Sequence, residues 1–254
     1  MDSNAHPPAP PSWWATFAGT VVGNLYLVLG TLLFAVLSIL VALVPPRGRH
    51  VHRVARVWAR GVLAFSFVRL EVEGLPGAGA EGRFVYLANH QSLFDIPALL
   101  AAIPERVLFL AKASLFRIPI FGWAIRLGGF VPVDRGDKRR ARESFGQALG
   151  RIGEGASVLI FPEETRTLDG RLLPFRKGGM LLAAKSGLPA VPVGVEGTLQ
   201  IQSRHSFLIR PRTVRIRFGE PVVLAGESVR RLPELTAALR ARVAELARAE
   251  LADG

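Results

Sequence analysis

LANHQSLFDIP (Leu87–Pro97) places His90 five residues before Asp95 in an apolar run, and His90 is one of only five histidines in the chain. A carboxylate that takes a hydrogen bond from one imidazole nitrogen leaves the other nitrogen as a base. His90 is therefore the candidate general base and Asp95 its orienting partner. The bland reading of the same pair is a satisfied core histidine beside a helix cap. Residues five apart on one helix point away from each other. The two meet only if His90 precedes a helix and Asp95 lies in its first turn. The sequence permits this. Phe84–Ala88 is a short apolar strand, Asn89 and Ser92 form turns and caps, and Pro97 suits a helix start. Ser92 and Asp95 also have the spacing of a capping box.

A histidine base needs a hydroxyl, thiol or water to deprotonate. The chain contains no cysteine and no G-x-S-x-G elbow, so a conventional serine-hydrolase triad is unsupported and Ser92 is a weak nucleophile. The simpler reading is that His90 activates a hydroxyl of the substrate. Other charged groups follow apolar runs in the same way. Lys112 follows VLFLA, Arg135 follows FVPV, and Glu163 and Arg166 follow SVLIFP. Any one of these cations alone reads as a solvated surface charge. Their repetition at strand ends makes a candidate anion site, for which arginine has the matching paired donors. Neither a Walker loop nor a dinucleotide fingerprint is present.

The elements that must hold these groups alternate along the chain. Strands are expected at Val68–Gly74, Phe84–Ala88, Val107–Ala111, Phe130–Val133 and Ser157–Pro162, and again in AVPVGVEG and TVRIRFGEPV. Pro132 puts the fourth at an edge. Helices are expected at Ile96–Ala102, Ala141–Gly155, Gly178–Gly187 and from Pro233 to Ala252. This pattern predicts an α/β fold with a mostly parallel central sheet flanked by helices, His90 lying at the C-terminal edge of the sheet. A Gly-rich loop, LPGAGAEG, separates the first two strands.

Ahead of this lies a different kind of sequence. Residues 1–14 are proline-rich and expected to be a disordered tail. Residues 15–66 are expected to be a membrane-associated helical region, and 67–254 the α/β domain. No charged residue occurs from Ala15 to Pro46, and Leu25–Val44 has about the length of a membrane-crossing helix. It lacks the basic region of a cleaved signal peptide. A hairpin embedded in one leaflet rivals a full span, with Asn24 and the preceding GTVVG at its bend. Arg47, Arg49, Arg53, Arg56 and Arg60 follow the segment and none precedes it, which predicts a cytoplasmic domain and contact with anionic headgroups. Thirty-two Lys and Arg against 20 Asp and Glu give a net charge of +12, while half of the residues are hydrophobic. That combination reads as membrane-associated before it reads as nucleic-acid-binding.

Four blocks then stand in order: NHQSLFD, KASLFRIPIFGWAIRLGGFVPVDR, FPEETRT and AVPVGVEG. Together, behind an apolar N-terminus, they resemble the glycerolipid acyltransferases of the 1-acylglycerol-3-phosphate acyltransferase type. The resemblance covers residues 87–197. It implies acyl transfer from acyl-CoA or acyl-carrier protein to the hydroxyl of a lysophospholipid, giving phosphatidic acid. His90 would be the base and Asp95 its orienter. Arg135, Arg166 and Lys112 would hold the acceptor's phosphate, Glu163 and Thr165 would position its polar head, and the VPVGV block would shape the acyl side. No metal or bound cofactor is implied; the acyl donor is a co-substrate. The partners implied are the acceptor, the donor and a phospholipid membrane, with no nucleic acid, and the place a bacterial inner membrane, on its cytoplasmic face. One residue departs from the family. Glu164 stands where the family usually has glycine, which would permit an unusual backbone angle or a close substrate approach. A different lysolipid acceptor, with a zwitterionic or amine-bearing head, is therefore the alternative. A nucleic-acid-binding protein and a non-catalytic lipid-binding scaffold are remoter ones.

Overall fold

In the computed structural model of the chain, residues 11–76, 82–134, 138–224 and 230–252 are described. The expected disordered tail lies outside them up to residue 10, as do residues 77–81 of the Gly-rich loop and the candidate anion-binding residue Arg135.

The strands are β1 (Arg69–Glu73), β2 (Val85–Ala88), β3 (Val107–Lys112), β4 (Val131–Val133), β5 (Ser157–Ile160), β6 (Ala190–Glu196) and β7 (Thr213–Phe218). They form one sheet in the order β1-β7-β6-β2-β5-β3-β4. Every pairing is parallel except β6 with β7. The fold is thus α/β with a mostly parallel sheet, as the alternation predicts. Strands β2 and β5 are buried at every position, which is why they read as unbroken apolar runs. Alternate residues serve opposite faces. Tyr86 and Ala88 pack into one core and Val85 and Leu87 into the other. The edges are short or charged: β4 has three residues including Pro132, and β1 is RLEVE.

Helices α1 (Trp13–Val41), α2 (Arg47–Phe65), α3 (Asp95–Ala102) and α4 (Phe121–Leu127) precede α5 (Lys138–Gly153), α6 (Lys177–Lys185), the short α7 (Thr198–Ile201) and α8 (Leu232–Ala247). Residues of α2 and α3 fill the core on one face of the sheet. Residues of α5, α6 and α8 fill the core on the other. Helix α8 comes so close to β6 that a Cβ at Gly194 would run into the Leu246–Ala247 backbone. It also ends earlier than its apolar spacing suggests. Arg248 is left-handed (φ 52°), and Leu251 forms a β-bridge with Leu172 instead of a last helical turn.

Helices α1 and α2 form a hairpin, but its turn is at residues 42–46, and α1 runs unbroken through the expected bend at Asn24. The polar residues of α1 make docking contacts. Thr31 Oγ1 accepts from Trp58 Nε1 of α2 at 3.1 Å. Asn24 Nδ2 donates to the Phe207 carbonyl at 2.9 Å, and Thr20 Oγ1 accepts from Ile209 N at 3.0 Å. Gly23 permits this approach, since a Cβ there would stand 2.7 Å from Ser66 Oγ and 2.9 Å from Ile209 Cδ1. On the other side of α1, Trp14, Phe17, Val21, Leu25, Val28 and Leu32 recur at helical spacing, each at least half exposed.

Candidate active site

His90 lies two residues beyond the end of β2, and Asp95 opens α3. The strand-to-helix junction brings them together as the spacing requires. His90 Nδ1 and Asp95 Oδ2 are 2.7 Å apart. The same oxygen accepts from Gln91 N at 2.7 Å and Ser92 N at 2.9 Å, so Asp95 is locked, and its side chain is fully buried. One half of the expected capping box is thus present: the Asp95 carboxylate takes the Ser92 N–H. The Ser92 hydroxyl instead accepts from Phe94 N and donates to the Gln202 carbonyl at 2.7 Å.

The FPEETRT block wraps His90. Its ring stacks on Phe161, with centroids 4.0 Å apart and planes at 17°. Its N–H donates to Glu163 Oε1 at 2.6 Å, and its carbonyl accepts from Thr167 N at 3.0 Å. Glu163 Oε2 accepts from Leu173 N at 2.8 Å. Both oxygens of this carboxylate therefore hold backbone, and the residue is 2% exposed. Burial pushes the Glu163 carboxyl up to about 7, helped by the charge of Asp95; the two N–H donors and Arg240 pull the other way. Asn89 completes the scaffold. Its side chain donates to the Val195 carbonyl at 2.8 Å and accepts from Val195 N at 2.7 Å, fastening the motif to β6.

A cavity of about 970 Å³ opens at His90. Lys112, Thr165 and Arg166 line it together with His90. Glu163 does not line it, so the expectation that this residue touches the acceptor's head is replaced by a place behind His90, on the backbone. The apolar end reaches beneath the N-terminal hairpin, where Phe34, Ala55 and Trp58 meet Ile96, Phe109 and Ile125. The VPVGV block does not border it. β6 is buried in the sheet, so the apolar wall comes from α1, α2, α3, β3 and α4, and VPVGV supplies Val195 to Asn89.

Glu164 does line the cavity, and its backbone is left-handed (φ 60°). The chain thus keeps the angle that glycine would adopt freely, in a tight turn whose N–H bonds the Phe161 carbonyl at 3.0 Å. For a residue with a side chain this conformation costs roughly 1–2 kcal/mol. Arg204 also lines the cavity, and no spacing or strand-end signal marks it in the sequence. Its Nη1 lies 3.5 Å from Thr165 Oγ1. Burial, and after it the charge of Arg204, lowers the affinity of Arg166 for its proton, while Asp95 raises it. Among the described residues no group of three or more His, Cys, Asp or Glu side chains is arranged to hold a metal ion.

A family model described as Acyltransferase matches residues 69–196. A chloroplastic 1-acyl-sn-glycerol-3-phosphate acyltransferase of Brassica napus is 36% identical over 173 residues, 67% of this chain and 50% of that protein. A protein of that name from Pseudomonas aeruginosa is 29% identical over 231 residues, 89% of each chain. The chain spans about half the length of the plant relatives it matches. The crystal structure of the 1-acyl-sn-glycerophosphate (LPA) acyltransferase PlsC from Thermotoga maritima shares the fold, with a TM-score of 0.78 at 24% identity over 94% of this chain and 98% of that one. A match running from β1 to the end of β6, through His90, Asp95 and the turn that clamps them, covers half of the chain, which belongs to the Acyltransferase family.

Proposed function

We propose that this chain transfers an acyl group from a thioester donor to the free hydroxyl of 1-acylglycerol 3-phosphate, giving phosphatidic acid. The carrying observation is the His90–Asp95 pair, locked at 2.7 Å, whose histidine lines one cavity together with Lys112, Arg166 and a large set of apolar residues. Asp95 holds Nδ1, so Nε2 is the nitrogen left to take the hydroxyl proton. The acceptor oxygen attacks the thioester carbonyl and a C–O bond forms. The tetrahedral intermediate then collapses, the C–S bond breaks, and the departing thiolate regains the proton from the imidazolium. Asp95, against Nδ1, stabilises the ring as it becomes charged. A thioester already has a good leaving group, so one base suffices. Lys112 and Arg166, with Arg135 two residues after β4 in the sequence, hold the acceptor's phosphate, with Thr165 beside it. The acyl chain takes the apolar end, and Glu163 acts as a positioning residue through the His90 backbone. The donor is acyl-CoA or acyl-carrier protein.

The membrane supplies an amphiphilic acceptor. The outward stripe of α1 is the surface that lipid tails would cover, and exposed Arg49, Arg53 and Arg60 of α2 suit anionic headgroups. Because α1 packs on α2 at Thr31 and on the loop after α7 at Thr20 and Asn24, an embedded hairpin accounts for it better than a perpendicular span. On this reading residues 15–66 are the membrane-associated part and 67–254 the α/β domain, with the domain on the cytoplasmic face of an inner membrane. The test is transfer from labelled acyl-CoA and acyl-carrier protein to lysophosphatidic acid, in membranes holding wild type or His90→Ala. Phosphatidic acid formed by wild type and lost in the mutant supports the proposal. Wild-type activity only with zwitterionic lysolipids would favour the alternative acceptor that Glu164 raises.

A further inference from the structure

We infer that Arg204 is a further guanidinium for the acceptor's phosphate, beside Arg166, and the residue that selects a phosphomonoester over a phosphodiester lysolipid. The inference rests on the proposed reaction. Arg204 lies beyond the matched family region, residues 69–196, on the loop between α7 and β7.

Three observations carry it. First, Arg204 and Arg166 line the same cavity as His90, and the hydroxyl of Thr165, next to Arg166 in the chain, lies 3.5 Å from Arg204. Two guanidinium groups are close enough that the charge of Arg204 weakens proton binding at Arg166. Like charges held this near each other suit a ligand carrying two negative charges. Second, the loop is held in place. The Gln202 carbonyl takes the Ser92 hydroxyl at 2.7 Å, two residues from His90 in sequence. Arg210 N closes the loop onto the Ile201 carbonyl at 3.0 Å, and Asn24 and Thr20 of α1 grip its far side at Phe207 and Ile209. The cation is therefore registered against both the base and the membrane helix. Third, Asp134 and Glu164 also line the cavity and offset two of the cations Lys112, Arg117 and Arg166, so Arg204 raises the balance of its charged lining from one positive charge to two, as a dianion requires.

A phosphomonoester carries roughly 1.5–2 negative charges at neutral pH. A phosphodiester carries one. Two forks can both engage a monoester by sharing its three terminal oxygens. Esterifying one oxygen, as in every lysolipid with a larger head, removes a charge and blocks one fork.

The experiment compares lysophosphatidic acid with its phosphate methyl ester, which has the same acyl chain and hydroxyl and one fewer charge. Wild type, Arg204→Gln and Arg204→Lys are assayed in vesicles with the donor saturating. For Arg204→Gln the expected result is an increase in KM for lysophosphatidic acid on the order of tenfold, against a change within about twofold for the methyl ester. Arg204→Lys, which keeps the charge and loses the fork, falls between. Equal loss on both acceptors, or no loss on either, overturns the inference. A binding arm measures both lipids on His90→Ala protein with and without Arg204→Gln, and needs no turnover. If wild type acylates neither lipid, the proposed function fails. The binding arm still decides on Arg204: a monoester preference abolished by the Gln change upholds its role, and an unchanged preference refutes it.

Discussion

Substituting Glu163 by glutamine separates a residue that positions the base from one that touches substrate. The carboxylate accepts from His90 N at 2.6 Å and Leu173 N at 2.8 Å and is 2% exposed. Glutamine has one carbonyl oxygen for two facing N–H donors, and its own amide then points hydrogens at one of them. A buried donor left unpaired costs about 1–3 kcal/mol. If that loss falls on His90, the ring leaves its working position and kcat drops by about 5- to 150-fold, at 1.36 kcal/mol per factor of ten. KM for the acceptor should stay within about twofold, because Glu163 does not line the cavity. Protonating Glu163 in wild type has the same effect, since the acid also presents an O–H to an N–H. With its carboxyl raised to about 7, the wild-type to Gln ratio of kcat should climb as pH rises from 6 to 8. Stability runs the opposite way. A carboxyl raised from 4.5 to about 7 contributes stability that is complete below 4.5 and lost as pH rises through 7, a span of roughly 3 kcal/mol. The Gln variant should therefore gain in Tm relative to wild type on going from pH 5 to 8. A raised KM with unchanged kcat, and a pH-independent ratio, would refute the positioning argument and return Glu163 to the acceptor's head.

Asp95→Asn should keep the fold and lower kcat by about 10²- to 10⁴-fold, since the buried charge that faces His90 Nδ1 is lost as the imidazolium forms; stopped single-turnover assays check it. Asn89→Ala removes both bonds to buried Val195 and should destabilise by about 2–5 kcal/mol in chemical denaturation, with the loss in activity tracking the folded fraction. Arg49, Arg53 and Arg60 changed together to alanine should weaken partition onto anionic vesicles by about 3 kcal/mol at low salt and leave neutral vesicles unaffected, as read by sedimentation. Gly194→Ala should lower stability by about 1–3 kcal/mol, because α8 must move off β6; Tm measures this.

The strands and helices were legible because their causes are local. SVLIFP and VLFLA are apolar runs of strand length, Gly187 has the positive φ that stops a helix, and Pro132 sits on an edge strand. His90 and Asp95 were legible for the same reason: five residues across a strand-to-helix junction are a short-range arrangement. The segment Leu172–Leu251 was not, because a bridge between residues 79 positions apart leaves no periodic trace and ends α8 early.

Sequence alone determined the alternation that makes a mostly parallel sheet, the apolar N-terminal segment, and a candidate histidine base with cations after neighbouring apolar runs. Tertiary structure decided which groups share the cavity. It drew Glu163 behind the base to hold backbone, because a buried carboxylate takes the nearest unpaired N–H donors. It kept Glu164 at a left-handed angle where glycine was expected to be needed. It turned the N-terminal hairpin at residues 42–46, because the polar side chains of α1 had partners on α2 and on the loop after α7. And it brought Arg204 to Thr165 across 39 positions, a meeting fixed by the fold of that loop and by nothing in its neighbours along the chain.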